Sequence, residues 1–143
     1  YMHVYEQVRI VSIHAGSVAK FFLLSVGDRN FNVLDQAISN AQLCGVGDKI
    51  KFAQTALSEL EAPAEKGILM CNPPYGERLG EVEELGEFYK LLGDTFKQRF
   101  KGWTAYILTG NRQLMKKVGL RTSRRLHVYN GSIECTLLKY ELY

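Results

Sequence analysis

The chain has 143 residues, of which 46% are hydrophobic and 23% are charged, and its formal net charge is +3. These values fit one soluble globular domain, and no apolar run approaches the roughly 20 residues that a membrane helix needs. The three cysteines, Cys44, Cys71 and Cys135, are isolated, which indicates neither a disulfide framework nor a zinc site. No secretory signal is recognisable, so we expect a cytoplasmic protein without a metal.

Strand and helix patterns alternate along the chain. An apolar run that ends at Gly27-Asp28 predicts a buried parallel strand over 21–26. Helical spacing of apolar residues predicts a helix that begins near Val33 and ends at Gly45. Further strands are predicted over 49–53, 67–71 and 103–108, and further helices over 84–99 and 112–118.

The last segment has the pattern of a hairpin. Two β-rich runs, 126–129 and 133–138, flank the turn Asn130-Gly131. Strands that alternate with helices and close in a hairpin predict an α/β fold with a doubly wound, mostly parallel sheet. We expect a single domain over 1–143, in which residues 1–20 have no clear assignment.

The segment Asn72-Pro73-Pro74-Tyr75 follows directly on the predicted strand 67–71. Proline neither donates to a ladder nor extends it, so the strand should end abruptly there. In an open α/β sheet, a loop that leaves the carboxyl end of a strand is where ligands bind. The Asn72 amide, a carbonyl before a rigid proline and the Tyr75 ring can hold the exocyclic amine of a planar base and stack on it.

The longer run 71–80, Cys-Asn-Pro-Pro-Tyr-Gly-Glu-Arg-Leu-Gly, resembles the motif of S-adenosylmethionine-dependent methyltransferases that modify exocyclic amino groups. It is most similar to the subfamily acting on guanine N2 of large-subunit ribosomal RNA, whose full-length members carry a THUMP RNA-binding domain. Similarity continues through 102–110, 120–125 and 129–135, so it extends from near residue 26 to residue 140. The resemblance implies a class I, Rossmann-like methyltransferase fold that ends in an antiparallel pair.

The same resemblance implies roles for individual residues. The Asn72 oxygen and the Pro73 carbonyl would accept the N–H bonds of the target amine, while Tyr75 stacks on the extruded base and Pro74 stiffens the loop. The methyl donor would be S-adenosylmethionine, which Asn72 also borders. Asp28 would accept hydrogen bonds from its ribose hydroxyls, and Leu57 would pack against its adenine.

Basic residues gather in the second half of the chain. Ten of them lie between residues 97 and 139, where Glu134 is the only acid. This asymmetry suits a partner with a phosphate backbone, although a solvated basic surface is an equally common explanation. The resemblance favours ribosomal RNA as the partner, with Arg78, Arg121, Arg124 and Arg125 as candidate contacts.

One part of the family pattern is missing. A Gly-rich turn of the type Asp-Pro-x-x-Gly-Ser-Gly-Thr is not found before Asp28, and His14-Ala15-Gly16-Ser17 is only a faint echo of it. We therefore expect the N-terminal part to be truncated or divergent. Two alternatives stay open: a methyltransferase of adenine N6 or of a protein amide, and an inactive remnant that binds RNA or another partner.

Overall fold

The computed structural model describes residues 10–15, 22–28, 30–76 and 81–143, and in this part of the chain a seven-stranded sheet forms the frame. The strands are β1 (Ile10–Ala15), β2 (Phe22–Asp28), β3 (Ile50–Gln54), β4 (Gly67–Cys71), β5 (Thr104–Thr109), β6 (Arg124–Asn130) and β7 (Ile133–Glu141). Their spatial order is β3-β2-β1-β4-β5-β7-β6. Every strand predicted from sequence is present.

Most strands of the sheet point in the same direction. β2 is parallel to β3, and β4 is parallel to β5. β1 is antiparallel to both β2 and β4, and β7 is antiparallel to both β5 and β6. Only β1 and β7 therefore oppose the rest of the described sheet. Five described strands thus share one direction in a mixed sheet of two parallel and four antiparallel pairs, and the predicted C-terminal antiparallel hairpin is confirmed.

β1 was not predicted, and it enters the sheet in reverse. Its first residue, Ile10, pairs with Gly27 and Cys71, near the carboxyl ends of β2 and β4. His14, near its last residue, pairs with Leu23 and Gly67, near their starts. The chain therefore leaves β1 at the edge opposite to Asp28 and Asn72. His14 and Ala15 do not form a cofactor turn beside Asp28, and Gly16 and Ser17 lie outside the described residues.

Helices connect the parallel strands on both sides of the sheet. α1 (Phe31–Leu43) joins β2 to β3, α2 (Glu81–Arg99) joins β4 to β5, and α3 (Arg112–Lys117) follows β5. The first two connections run in opposite directions across the sheet, so right-handed crossovers place α1 and α2 on opposite faces. Among the described residues, no helix has both the length and the apolar character required to span a bilayer.

α1 begins and ends at residues suited to helix termini. The Asn30 Oδ1 atom accepts the backbone N–H of Asn32 at 2.9 Å, which caps the first turn. Gly45 has a φ of +70°, a left-handed conformation that costs glycine little, and the Val46 N–H returns to the Ala41 carbonyl at 2.9 Å. The predicted end of this helix at Gly45 is confirmed.

The main core lies between α2 and the strands β4, β5 and β7. The apolar residues of α2 predicted from their helical spacing are all buried: Leu85, Phe88, Tyr89, Leu92 and Phe96. Trp103 is also buried, packs edge-on against Phe100 with 5.4 Å between ring centroids, and donates its indole N–H to the Ala64 carbonyl at 2.9 Å. This core fixes the position of β4 and hence of the loop that leaves it.

Two buried glycines of α2 make a matched pair for testing this packing. A Cβ atom at Gly93 would lie 1.8 Å from the Val118 carbonyl oxygen, whereas one at Gly86 would meet only the Lys117 side chain, at 3.7 Å. We expect Gly93→Ala to lower the free energy of unfolding by about 3 kcal/mol or more, because backbone must move. Gly86→Ala should raise it by up to about 1 kcal/mol through helix propensity. Urea denaturation of both variants measures the difference, and equal values would contradict the tight contact.

Candidate active site

The carboxyl ends of four strands meet at one edge of the sheet. Ile10 pairs with Gly27 on one side and Cys71 on the other, so the backbones of Asp28 and Asn72 lie at the same level. One strand separates them, which corresponds to about 10 Å. The ends of β3 and β5 border the same edge, since Gln54 pairs with Asp28 and Cys71 with Ile107. Such an edge is where open α/β sheets bind ligands.

The loop 72–75 leaves this edge with one polar side chain directed outward. Asn72 is exposed and Pro73 is buried, while Pro74 and Tyr75 are half-buried. The strand stops here because the two prolines have no N–H to continue a ladder. The loop 72–75 therefore faces solvent at the same edge as Asp28, which is the arrangement expected of a ligand-binding site.

Tyr75 and Asn72 are hydrogen-bonded to each other. The Tyr75 hydroxyl donates to the Asn72 Oδ1 atom at 2.5 Å and accepts from the Asn130 Nδ2 atom at 3.2 Å. Burial raises the pKa of the Tyr75 hydroxyl, so the group keeps its proton at neutral pH. Since an amide oxygen has two lone pairs, the Asn72 oxygen can still accept one further hydrogen bond.

The side chain of Tyr89, on α2, holds the loop 72–75 through its hydroxyl. Its buried hydroxyl donates to the Pro74 carbonyl at 3.1 Å and is 3.0 Å from the Thr109 Oγ1 atom. Because Tyr89 has a single proton, the Thr109 hydroxyl donates to Tyr89 in turn. Thr109 Oγ1 also accepts the Asn111 backbone N–H at 3.2 Å. The end of β5 is thereby joined to the loop that leaves β4.

Asn111 connects the same loop to α3. Its Oδ1 atom caps the helix by accepting the backbone N–H groups of Gln113 and Leu114 at 2.9 and 3.2 Å. Its Nδ2 atom donates to the Tyr75 carbonyl at 3.0 Å. Gly110 lies beside the Tyr75 ring, where an added Cβ would be 3.3 Å from the ring atom Cδ2. One side chain therefore sets both the helix start and the loop.

Sequence reasoning missed four residues of this network: Tyr89, Thr109, Asn111 and Asn130. The apolar spacing of the helix predicted over 84–99 places Tyr89 on its buried face without indicating a hydrogen bond, and the Asn130-Gly131 pattern predicts only a turn. Thr109 and Asn111 could have been found by applying the carboxyl-end rule to the next parallel strand, since both lie where β5 ends. The contacts of Tyr89 and Asn130 bridge 15 and 55 residues and have no local signal.

The other predicted site residues are more scattered. Asp28 is the last residue of β2, as expected, and Leu57 lies in a short 3-10 helix (Leu57–Glu59) where it packs against the main core. Arg78 lies outside the described residues. Their roles remain predictions.

The structure separates the three C-terminal arginines. Arg124 is opposite Lys139 and Arg125 is opposite Leu138, so neighbouring arginines extend from different faces of the hairpin. Arg121 lies in the loop before β6 and lines a different cavity from Arg125. They do not form one patch. Among the described side chains, no cluster of three or more metal-ligating residues occurs.

The hydroxyl of Tyr89 can be tested against that of Tyr140, which is also buried but has no hydrogen-bond partner in the described structure. We expect Tyr89→Phe to lower the free energy of unfolding by about 1–3 kcal/mol, because the Pro74 carbonyl loses its donor. Tyr140→Phe should be neutral or slightly stabilising. Chemical denaturation measures both, and an equal effect of the two substitutions would show that the Tyr89 bonds contribute nothing.

The chain is similar in sequence to known RNA methyltransferases. A presumed RNA methyltransferase of Synechocystis sp., slr0064, is 54% identical over 119 residues, which are 83% of this chain and 30% of that protein. The ribosomal RNA large subunit methyltransferase K/L of Syntrophotalea carbinolica is 40% identical over 119 residues, which are 80% of this chain and 17% of that protein. The chain thus spans less than a third of the length of either relative.

A solved structure gives the same result for the fold. The presumed methyltransferase SMU.472, crystallised with SAH, is 30% identical and superposes with a TM-score of 0.77, covering 83% of this chain and 31% of that one. These likenesses confirm the expected class I methyltransferase fold. Residues 9–139 match the profile of a family described as RMKL-like, methyltransferase domain. The chain belongs to this RMKL-like methyltransferase domain family.

Proposed function

We propose that this chain carries the acceptor site of an S-adenosylmethionine-dependent N-methyltransferase that modifies an exocyclic amine of RNA, guanine N2 of large-subunit ribosomal RNA. One observation carries the proposal: an exposed amide oxygen, held by Tyr75, stands at the end of β4 in register with Asp28 at the end of β2. The ribosomal RNA large subunit methyltransferase K/L, 40% identical to this chain, supports the substrate class.

In this proposal, the loop 72–75 activates the exocyclic amine, which is a poor nucleophile. The lone pair of an exocyclic guanine amine is delocalised into the ring, and acceptors for its two N–H bonds favour a pyramidal nitrogen. Asn72 Oδ1 retains one acceptor position beside the Tyr75 hydroxyl, and the Pro73 carbonyl is the proposed second acceptor. The Pro74 carbonyl already accepts a hydrogen bond from the Tyr89 hydroxyl. Acceptors already fixed where positive charge develops lower the barrier without reorganisation.

Tyr75 is proposed to stack on the extruded base. Its hydroxyl is bonded to Asn72 and Asn130, and its carbonyl to Asn111, so the ring is held at both ends. The ring is half-buried and leaves part of its surface to a ligand. A ring fixed before the base arrives loses little conformational entropy on stacking.

The cofactor supplies an electrophilic methyl group on sulfur, and the described residues fit its adenosine half. Asp28 and the segment that follows β3, which includes Leu57, lie at the correct edge. A turn for the methionine half is not found among the described residues, because β1 is reversed and ends at the opposite edge.

The role of Asn72 is tested by Asn72→Ala. We expect methyl transfer to a ribosomal RNA fragment to fall by about 10²–10³-fold, because a preorganised acceptor is lost. The thermal midpoint should stay close to that of the parent chain, since the side chain is exposed. Asn40→Ala, at an exposed position on α1, is the matched control. Unchanged turnover in Asn72→Ala would remove this residue from the chemistry.

Calorimetry with S-adenosylhomocysteine tests the cofactor site separately. We expect Asp28→Ala to weaken binding about tenfold or more, since hydrogen bonds to a charged acceptor are lost. Asp35→Ala, which removes an exposed carboxylate of α1, should leave the affinity unchanged. A folded parent chain that binds neither S-adenosylhomocysteine nor S-adenosylmethionine would decide for the inactive remnant.

A further inference from the structure

A second surface lies between α3 and the β6–β7 hairpin, beside residues 72–75, which we call the acceptor loop. It is a cavity of about 410 Å³ whose polar lining consists of four basic side chains and two threonines: Arg112, Lys116, Arg125, His127, Thr122 and Thr136. Arg112 and Lys116 come from α3, one turn apart, and Arg125 and His127 come from β6. We call this cavity the basic groove.

The strand register explains why these side chains converge. Arg125 is opposite Leu138 and His127 is opposite Thr136, and all four line the groove, so they share the face of the hairpin that α3 covers. Tyr129 is the next residue of β6 on this face, and 74% of it is exposed. The groove therefore continues into an aromatic side chain at the tip of the hairpin.

The positive charge of the groove is largely uncompensated. The ion pairs of the described residues engage Arg99, Lys139 and His127, so Arg112, Lys116 and Arg125 take part in none of them. The Arg125 Nε atom approaches the Thr122 hydroxyl at 3.4 Å. Among the described acids, Glu134 faces this side and lies 3.8 Å from His127 Nδ1. An anionic ligand would find several free donors here.

Both ends of the groove connect to the acceptor loop. Arg112 follows Asn111, which donates to the Tyr75 carbonyl. Tyr129 precedes Asn130, which donates to the Tyr75 hydroxyl. A polymer lying between Arg112 and Tyr129 would therefore end at the tip of the hairpin, on whose opposite face Asn130 holds Tyr75.

We infer that the basic groove binds the single-stranded RNA segment next to the target nucleotide, with Arg112, Lys116 and Arg125 on its phosphates and Tyr129 stacked on an unpaired base. This inference rests on the proposed function. A basic channel combined with an exposed aromatic ring is the usual means of holding single strands. Of the four arginines predicted from sequence, Arg78 lies outside the described residues, Arg121 and Arg124 lie on other surfaces, and Arg125 lines this groove.

Fluorescence anisotropy with a labelled single-stranded RNA of mixed sequence, at several salt concentrations, tests the charges. We expect Arg112→Gln/Lys116→Gln to bind about tenfold more weakly and to lower the slope of log K against log salt by about 1.4, two contacts at ~0.7 each. The control is Lys66→Gln/Lys101→Gln, two exposed lysines that precede β4 and β5 at the opposite edge of the sheet. Equal losses of RNA affinity in the two double variants would overturn the inference that the basic groove binds RNA.

Tyr129→Ala tests the stacking contact. We expect affinity to fall fivefold or more at every salt concentration with the slope unchanged, because stacking releases no counterions. The control is Tyr143→Ala, which removes a tyrosine that is 91% exposed at the end of the chain. Melting curves confirm that each variant folds. An unchanged affinity in Tyr129→Ala would remove the ring from the interface.

Two further measurements separate the possible failures. An acidic polyglutamate peptide that displaces the RNA at equal charge concentration would assign the groove to a protein partner and overturn the inference. Calorimetry with S-adenosylhomocysteine is independent of the groove: its failure, with groove-dependent RNA binding intact, would reject methyl transfer alone. Methyl transfer that requires Asn72 but is unaffected in the groove variants would reject the groove alone.

Discussion

The site depends on how two consecutive residues without backbone N–H groups are held in place. Pro73 and Pro74 cannot donate, so their backbone can be fixed only through its carbonyl oxygens. Tyr89 donates to the carbonyl of Pro74 and Asn111 donates to that of Tyr75, the next residue. Both donors are held in turn, Tyr89 by Thr109 and Asn111 by its cap on α3. The exposed Asn72 amide therefore stands on a rigid support, as a preorganised acceptor requires.

Much of this support could be predicted from short-range patterns, and some of it could not. The apolar stripe of α2 and the Pro-Pro break after Cys71 are local signals, and both are confirmed by the structure. The stripe predicts that Tyr89 is buried. It does not predict that the Tyr89 hydroxyl has a hydrogen-bond partner, whereas the buried hydroxyl of Tyr140 on β7 has none in the described structure. Similarly, the Asn130-Gly131 pair is fully explained as a turn, which hides the contact of Asn130 with Tyr75.

The first strand shows a different limit of sequence reasoning. A six-residue run such as Ile10–Ala15 can be recognised as β-forming, but alternation of side chains does not encode the direction in which a strand joins its neighbours. The reversed β1 lies in the interior of the sheet, and its last residue is at the edge opposite to the ligand-binding one. The residues proposed to hold the target amine and the adenosine thus follow β4 and β5 on one side of β1, and β2 and β3 on the other.

The bond between Asn130 and Tyr75 also bears on biosynthesis. The acceptor loop precedes its partner by 55 positions, and the hairpin that carries Asn130 is anchored through β7 to β5. A nascent chain that has emerged only as far as α3 can form β4, α2 and β5. Its Tyr75 hydroxyl still lacks the hydrogen bond that the Asn130 amide donates. The loop therefore reaches its final arrangement only after β6 and β7 have left the ribosome and β7 has paired with β5, so the proposed acceptor geometry forms later than the strand that leads into it.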